Sequence, residues 1–569
     1  MDLNIRIAGA AGQGIETTGE LLVELLAHEG IHCFATQTYM SRIRGGLNWY
    51  DVRIADRELF SGREKADLLV ALNEQALDWL KSDVAEGGVK LLNGSGREEA
   101  ICIEFEKVAK EVGGSAIMAN AVAVGAVLTI LGYGIEALEH HLRDRFARKG
   151  DEVVDANLKC ARKGAELASA HAGILKGPQP SGAPRAICSG AEAVGLGAAT
   201  AGVKFATGYP MTPSTGVLTF LAQVADRYGI VVEQAEDEIA AINMVCGATY
   251  AGVPAMTMTS GGGFALMVEG LALAGMLELP VLIYLGQRPG PATGLPTRTA
   301  QQDLLFALNA GHGEAPRALF APGTPQQCYD LARHGLALAH KYQTPVIMLG
   351  DQFLADVRTN CAGLDESLRP IDRCLCLDPG EDYMRYAVTQ SGVSPRATPG
   401  SNAFVVLDSD EHDEDGHITE NLAVRVKMQD KRMRKLDGMV AEVIPPEWYG
   451  PREAEQVLVC WGSTYGPCRE AVDILNASDH MAAMLHFRQV WPLDGEAVRE
   501  MLGMGREIIS VEGNQTGQFA RLLRQVGAIS DYSLLAKYDG LPFTGEEIAR
   551  RMHRNGGTTK TQRHEEERR

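Results

Sequence analysis

VPAMTMTSGGGFALMVEGLALAGMLELPVLIYLGQ, residues 253–287, decides the fold. It runs as an apolar strand, three glycines, a helix of small and apolar residues, a proline and a second apolar strand. A strand without polar alternation is buried on both faces, the signature of a parallel sheet covered by helices. The pattern repeats on either side, with KFATGYP (204–210) before it and TPVIMLGD (344–351) after it. Strands alternating with helices in this way predict an α/β fold built on a doubly wound, mostly parallel sheet.

Working outward, residues 1–175 read as a separate α/β unit. NIRIAGA (4–10) is its first strand, Gly9, Gly12 and Gly14 break it, and ETTGELLVELLAHEG (16–30) continues as an amphipathic helix. IHCFATQ (31–37), NWYDVRIA (48–55) and ADLLVALN (66–73) are further strands, and 151–170 is its last helix. Proline and glycine mark 176–185 as a linker. The central domain spans 186–445 and ends in an acidic, turn-rich loop, SDEHDEDGHITE (409–420), followed by a charged helix at 425–440. His412 and His417 in that loop are expected to be solvated rather than metal-bound. A third α/β unit covers 446–555, with strands QVLVCWGS, MAAMLHFRQVW and REIISVEGN, and 556–569 is a polar tail. The fold class is therefore α/β, in three α/β units.

Composition excludes some functions. The chain has 569 residues, 45% apolar and 22% charged, enough for more than one core. Its net charge of −19 would repel phosphate backbones, so nucleic acid is not an expected partner. Eleven cysteines include no CxxC; Cys374 and Cys376 form the closest pair. No cluster or zinc site is expected on this chain, and an odd count without a framework points to reduced thiols and a cytoplasmic location. MDLNIRIAGAAGQG has no basic-then-apolar leader, and no run of 18 apolar residues predicts a membrane span.

Several stretches carry candidate chemistry. AGAAGQGIE has the order GxxGxG, able to present backbone N–H groups to an anion or simply to turn tightly. Arg42 and Arg44 in SRIRGG offer an anion or partner contact, or a solvated turn. QAEDEIAAINMVCGATYAG (234–252) sets Glu236, Asp237 and Glu238 at a helix start, where acids are favoured electrostatically. Glu238 then enters an apolar helix, where a partly desolvated carboxyl can share a proton with a heterocyclic nitrogen. TSGGG lets the chain approach a flat ligand. QRPGPATGLPTRTAQQDL (287–304) holds Arg288 and Arg298, whose forks suit a carboxylate. GYPMTPST (208–215) is a turn stiffened by two prolines, with Thr212 between them.

GYPMTPST, QAEDEIAA, TSGGG and GPATGLPTRTAQQDLL, in that order and spacing, resemble the α subunit of 2-oxoacid:ferredoxin oxidoreductases. ISVEGNQTGQFARLLR resembles the same family, and GAAGQGIE…SRIRGG…DLLVAL resembles its γ segment, fused in front. The resemblance covers about residues 1–540 and points to the 2-oxoglutarate type.

The resemblance implies that the central unit is a thiamine-diphosphate pyrimidine-binding domain and the last a transketolase C-terminal-like domain. It implies that Glu238 contacts N1′ of the aminopyrimidine and favours the imino tautomer, whose nitrogen removes the C2 proton. Tyr209, Pro210, Ser260, Gly261 and Gly262 would line the cofactor. Thr212, Arg298 and Arg288 would bind the 2-oxoacid, and Glu238, Thr212 and Arg298 would be the catalytic set. Met211 stands where isoleucine is usual, and TSGGG replaces TSGPG.

No GDG, the family's Mg2+ and diphosphate signature, occurs in the chain. The resemblance therefore implies a β subunit carrying the diphosphate, Mg2+ and at least one [4Fe–4S] cluster, in an (αβ)2 assembly, with coenzyme A as co-substrate and ferredoxin as electron acceptor. The implied reaction is reversible oxidative decarboxylation of 2-oxoglutarate to succinyl-CoA. Pyruvate or another 2-oxoacid is the alternative substrate. A non-catalytic binding module of the same fold is the alternative of another class, opposed by the presence of Glu238, Thr212 and Arg298. A nucleotide-dependent acyl-CoA enzyme would need a lysine or histidine that GAAGQGIETTG lacks.

Overall fold

The structure is a computed structural model that describes residues 1–41, 45–361, 363–478 and 480–555. Arg42, Arg44 and the polar tail 556–569 lie outside the described residues. The chain divides into two compact units, the first made of 1–188, 357–363 and 544–550, the second of 189–356, 364–543 and the described residues after 550.

The first unit is built on an eight-stranded mixed sheet. Asp2–Ala11 lies in its middle, antiparallel to Gly45–Ala55 and parallel to Ala66–Ala71. Its apolar residues alternate between two layers, and Ile5 and Ile7 sink fully into the core. A short segment after residue 356 contributes here: Arg358–Cys361 adds an antiparallel strand beside His32–Thr38, with Asn360 Oδ1 accepting the Cys33 N–H. Within this unit Gly14 opens the helix Ile15–His28 in the left-handed conformation, at φ 77°, which glycine adopts without strain.

The second unit holds two sheets. The larger has seven strands, of which Val231–Gln234, Phe205–Gly208, Ala255–Ser260, Leu282–Gln287, Val346–Asp351 and Ala318–Phe320 run parallel in that spatial order. The inner strands Ala255–Ser260, Leu282–Gln287 and Val346–Asp351 are buried on both faces, as 253–287 predicts, while the edge strand Val231–Gln234 is largely exposed. The five-stranded sheet is centred on Gln456–Trp461 and Glu507–Glu512.

MAAMLHFRQVW is one expected strand but forms two. Ala482–Phe487 stays in the five-stranded sheet, while Gln489–Trp491 crosses over and pairs antiparallel with Ala318–Phe320. The last lobe thus completes the edge of the central sheet.

The charged helix buries part of its charge. Leu422–Ala441 buries Lys431, Arg432 and Lys435. Lys431 and Lys435 bracket the Glu278 carboxylate at 2.6 Å and 2.5 Å, and Arg432 pairs with Glu411 at 2.9 Å. The loop at 409–420 folds with it. His412 is fully buried, its ring 4.0 Å from that of Tyr386, so the expected solvation fails for that histidine. His417 stays exposed beside Asp415 at 2.9 Å.

Candidate active site

Four parallel strands of the second unit end side by side, at Gly208, Ser260, Gln287 and Asp351. Ser260 is in register with Gly286, and Gln287 with Asp351. Ligands of open α/β sheets bind outside such carboxyl ends, where successive loops converge. The sequence candidates of the central domain lie on those loops.

Glu238 is the first residue of the helix Glu238–Tyr250. Asp237 caps that helix, its carboxylate accepting the Ala240 N–H at 2.8 Å. The sequence places two acids at one helix start with different tasks: Asp237 serves the backbone and Glu238 is left over. Glu238 is only 3% exposed. The hydroxyl of Thr259 approaches its Oε1 at 3.5 Å, a long contact that leaves most of the carboxylate's accepting capacity unused.

The glycines let the chain pack closely beside it. Gly263 faces the carboxyl so closely that a β-carbon there would stand 2.2 Å from both Glu238 Oε1 and Thr259 Oγ1. Gly262 is exposed, with only Ala292 O near its missing side chain, at 3.9 Å. Gly261 faces the Asp303 carboxylate, 2.7 Å from where its β-carbon would be. Ser260 caps the helix Gly261–Met276 by position, yet its buried hydroxyl makes no hydrogen bond among the described residues. A buried, under-used carboxylate beside a bare glycine ledge fits a flat heterocycle with a ring nitrogen able to meet Glu238. The residues present therefore suit the aminopyrimidine of thiamine diphosphate.

GYPMTPST forms the turn between Phe205–Gly208 and the helix Thr215–Tyr228. The Ser214 hydroxyl donates to Met211 O at 2.6 Å, and Pro213 packs on Gly286, where a β-carbon would come within 2.9 Å of its ring. Arg288 Nη1 donates to the Thr212 carbonyl at 2.7 Å. Arg288 therefore braces the turn, and the Thr212 hydroxyl makes no hydrogen bond within the described residues. Tyr209 and Pro210 are exposed beside it.

Arg298 stands further along the 287–304 loop. Its stem packs against Gly540, and its guanidinium has no hydrogen bond or ion pair within the described residues. Burial pulls its pKa down, opposed by the nearby Asp539. A half-buried arginine without a bonded counter-ion suits an incoming carboxylate. The structure thus joins Glu238 to the glycine ledge and Thr212 to Arg288, while Arg298 makes no hydrogen bond to either group.

Sequence reasoning misses three residues here. Thr259 and Gly263 define the Glu238 recess, and the TSGGG motif that contains them signals only a close approach of the backbone. Asp303 has no signal of its own in the sequence. Its Oδ2 is buried without a hydrogen-bond partner among the described residues, and burial raises its pKa to about 6, against the pull of Arg288.

This arrangement, a buried carboxylate beside a glycine ledge at the carboxyl edge of a parallel sheet, suits a thiamine-dependent class of enzyme. Comparison with known proteins agrees. Residues 196–431 match the family described as pyruvate flavodoxin/ferredoxin oxidoreductase, thiamine diphosphate-binding, and residues 4–167 match pyruvate ferredoxin/flavodoxin oxidoreductase. The chain is 31% identical to 2-oxoacid:ferredoxin oxidoreductase 2, subunit alpha, of Aeropyrum pernix, covering 96% of this chain and 97% of that one. It is 30% identical to 2-oxoglutarate oxidoreductase subunit KorA of Mycobacterium tuberculosis, covering 96% and 90%. Among solved structures it is similar to 2-oxoglutarate:ferredoxin oxidoreductase from Magnetococcus marinus, with 33% identity, a TM-score of 0.90 and coverage of 97% and 99%. The chain belongs to the 2-oxoacid:ferredoxin oxidoreductase family, as a subunit of an oxidoreductase.

Proposed function

We propose that this chain is the α subunit of an enzyme that oxidatively decarboxylates 2-oxoglutarate, passes the acyl group to coenzyme A and reduces ferredoxin. The single observation that carries the thiamine chemistry is the Glu238 carboxylate, buried and nearly unpartnered against Gly263. The substrate choice is supported by the relatives: the Mycobacterium protein is named for 2-oxoglutarate, and the Magnetococcus structure holds 2-oxoglutarate, coenzyme A and succinyl-CoA.

When bound, thiamine diphosphate supplies the nucleophilic carbon and the electron sink for loss of CO2. This chain's residues do the rest of what its half of the site requires. Glu238 holds a proton between its carboxylate and the ring nitrogen, in a recess that keeps water from competing for it. Gly261 and Gly262 let the heterocycle lie against the backbone. Thr212, on a turn braced by Arg288, offers its hydroxyl to the 2-oxo or carboxylate oxygen. Arg298 receives a substrate carboxylate with its fork. The diphosphate, Mg2+ and an iron–sulfur cluster are assigned to a partner β subunit, since the chain has no GDG and no CxxC. We place the pair in an (αβ)2 assembly in the cytoplasm.

The test is a panel of 2-oxoacids offered to the assembled αβ enzyme with coenzyme A and a viologen dye. The proposal expects 2-oxoglutarate to give the highest kcat/KM. Pyruvate leading the panel would move the assignment to the alternative substrate. No feature of the site favours the non-catalytic binding module.

A further inference from the structure

The 287–304 loop carries Arg288, Arg298 and Asp303, and its far end is held by the last lobe as well as by its own sheet, where the Asp303 N–H donates to Gln287 Oε1 at 3.0 Å. Gln301, only 2% exposed, concentrates four of those holds at a single residue. Its N–H donates to Gly513 O at 2.8 Å, and its side-chain Oε1 accepts the Gly513 N–H at 2.8 Å. Its Nε2 donates to Trp461 O at 2.7 Å, and its carbonyl accepts from Asn514 Nδ2 at 3.0 Å. A primary amide both donates and accepts, so neither a carboxylate nor an aliphatic chain reproduces this set.

The receiving surface is built for the contact. A β-carbon on Gly513 would lie 3.2 Å from Gln301 Cγ, and one on Gly462 would lie 3.1 Å from its Nε2. Asn514 also donates to Glu512 at 2.8 Å, and Glu512 is itself fixed by the N–H groups of Phe519 and Ala520. The VEGN turn is therefore held by bonds of its own as well as by the loop. On either side of Gln301, Thr299 N–H donates to Gly540 O at 3.1 Å and Gln518 donates to Gln302 O at 2.7 Å.

Arg298 stands three residues before Gln301, and its guanidinium has no bonded partner among the described residues. We infer that Gln301 is a positioning residue: it anchors the loop on the VEGN turn and so fixes the Arg298 guanidinium where the substrate carboxylate arrives. This rests on the reading above that Arg298 takes that carboxylate. It also gives the last lobe a share in substrate binding.

The experiment is a double-mutant cycle in the assembled αβ enzyme. Gln301→Ala, Arg298→Ala and the pair are compared for kcat and for two separate Michaelis constants, one for the oxoacid substrate and one for coenzyme A. Hydrogen exchange of residues 293–300 is followed in the same proteins. The inference expects Gln301→Ala to raise the oxoacid KM roughly tenfold, with the coenzyme A KM unchanged. In the Arg298→Ala background the same change should add less than about twofold. Exchange across 293–300 should quicken.

Equal effects of Gln301→Ala in both backgrounds would overturn the inference, as would an unchanged KM with only a lowered Tm. If Gln301→Ala fails to fold, Gln301→Glu, which keeps the acceptor for Gly513 and loses the donor to Trp461, takes its place. If no 2-oxoacid is turned over by wild type, the functional reading fails. The exchange arm then still judges the anchor: wild-type exchange rates at 293–300 in the variant would sink it.

Discussion

Gly263 and Glu238 are fitted to one another: the glycine has no side chain where the glutamate's Oε1 stands, and a β-carbon would come within 2.2 Å of it. The recess is therefore made by what position 263 lacks. Gly263→Ala should push the carboxylate out of place and weaken thiamine diphosphate binding by roughly a hundredfold while the fold persists. Calorimetric titration of the assembled enzyme with the cofactor, alongside circular dichroism, measures both. Unchanged affinity would show that the recess does not receive the heterocycle.

Arg298 is predicted to contribute through its fork as well as its charge. Arg298→Ala should raise the oxoacid KM by roughly 10- to 100-fold, the range of a lost charge-assisted pair. Arg298→Lys should recover only part of it, because an ammonium cannot bond a carboxylate bidentately. Full recovery in the lysine variant would reduce the residue to a point charge.

Asp303 makes stability depend on pH in a stated direction. Burial raises its pKa from 3.8 to about 6, so the fold favours its neutral form. That contribution is complete below the unfolded value and is lost as pH rises through about 6. At neutral pH the ionised group costs on the order of 2–3 kcal/mol. Asp303→Asn should therefore have the higher Tm, with a gap that widens between pH 4 and pH 7. A gap that narrows over that interval would contradict the assignment.

Glu278 is the only acid in contact with both buried lysines of the helix Leu422–Ala441 among the described residues. Burial alone would raise its pKa, and Lys435, Lys431 and Arg385 more than reverse that. Burial in turn brings Lys431 down to about 8. Glu278→Gln leaves two buried ammonium groups without their counter-ion and should destabilise by about 3–5 kcal/mol. Denaturation of the variant checks this; a loss below about 1 kcal/mol would mean the lysines deprotonate at little cost.

The central sheet is legible in the sequence because its strands are apolar on both faces, a signal that needs no knowledge of neighbours. Glu238 is legible for a local reason too, being an acid that runs on into an apolar helix. The Gln301 anchor is not, because its partners Trp461, Gly513 and Asn514 lie 160 to 213 residues away in the chain. The buried Lys431 and Lys435 escape for a similar reason, their counter-ion Glu278 lying 153 residues before Lys431. Helical spacing shows which residues share a face, whereas Glu278 and Glu411 make that face able to bury charge. The fork of Arg288 suggests a ligand for substrate, whereas its Nη1 holds the Thr212 carbonyl, a backbone partner no motif displays.

The central claim is that Glu238 shares a proton with the cofactor in this chain's half of the site. The most direct measurement is oxoacid- and coenzyme A-dependent reduction of a viologen dye by the assembled enzyme, with Glu238→Gln beside wild type and thiamine diphosphate saturating. The account predicts that kcat falls by roughly a hundredfold or more in the variant, the scale of a lost acid–base group. Turnover by Glu238→Gln at the wild-type rate would contradict it.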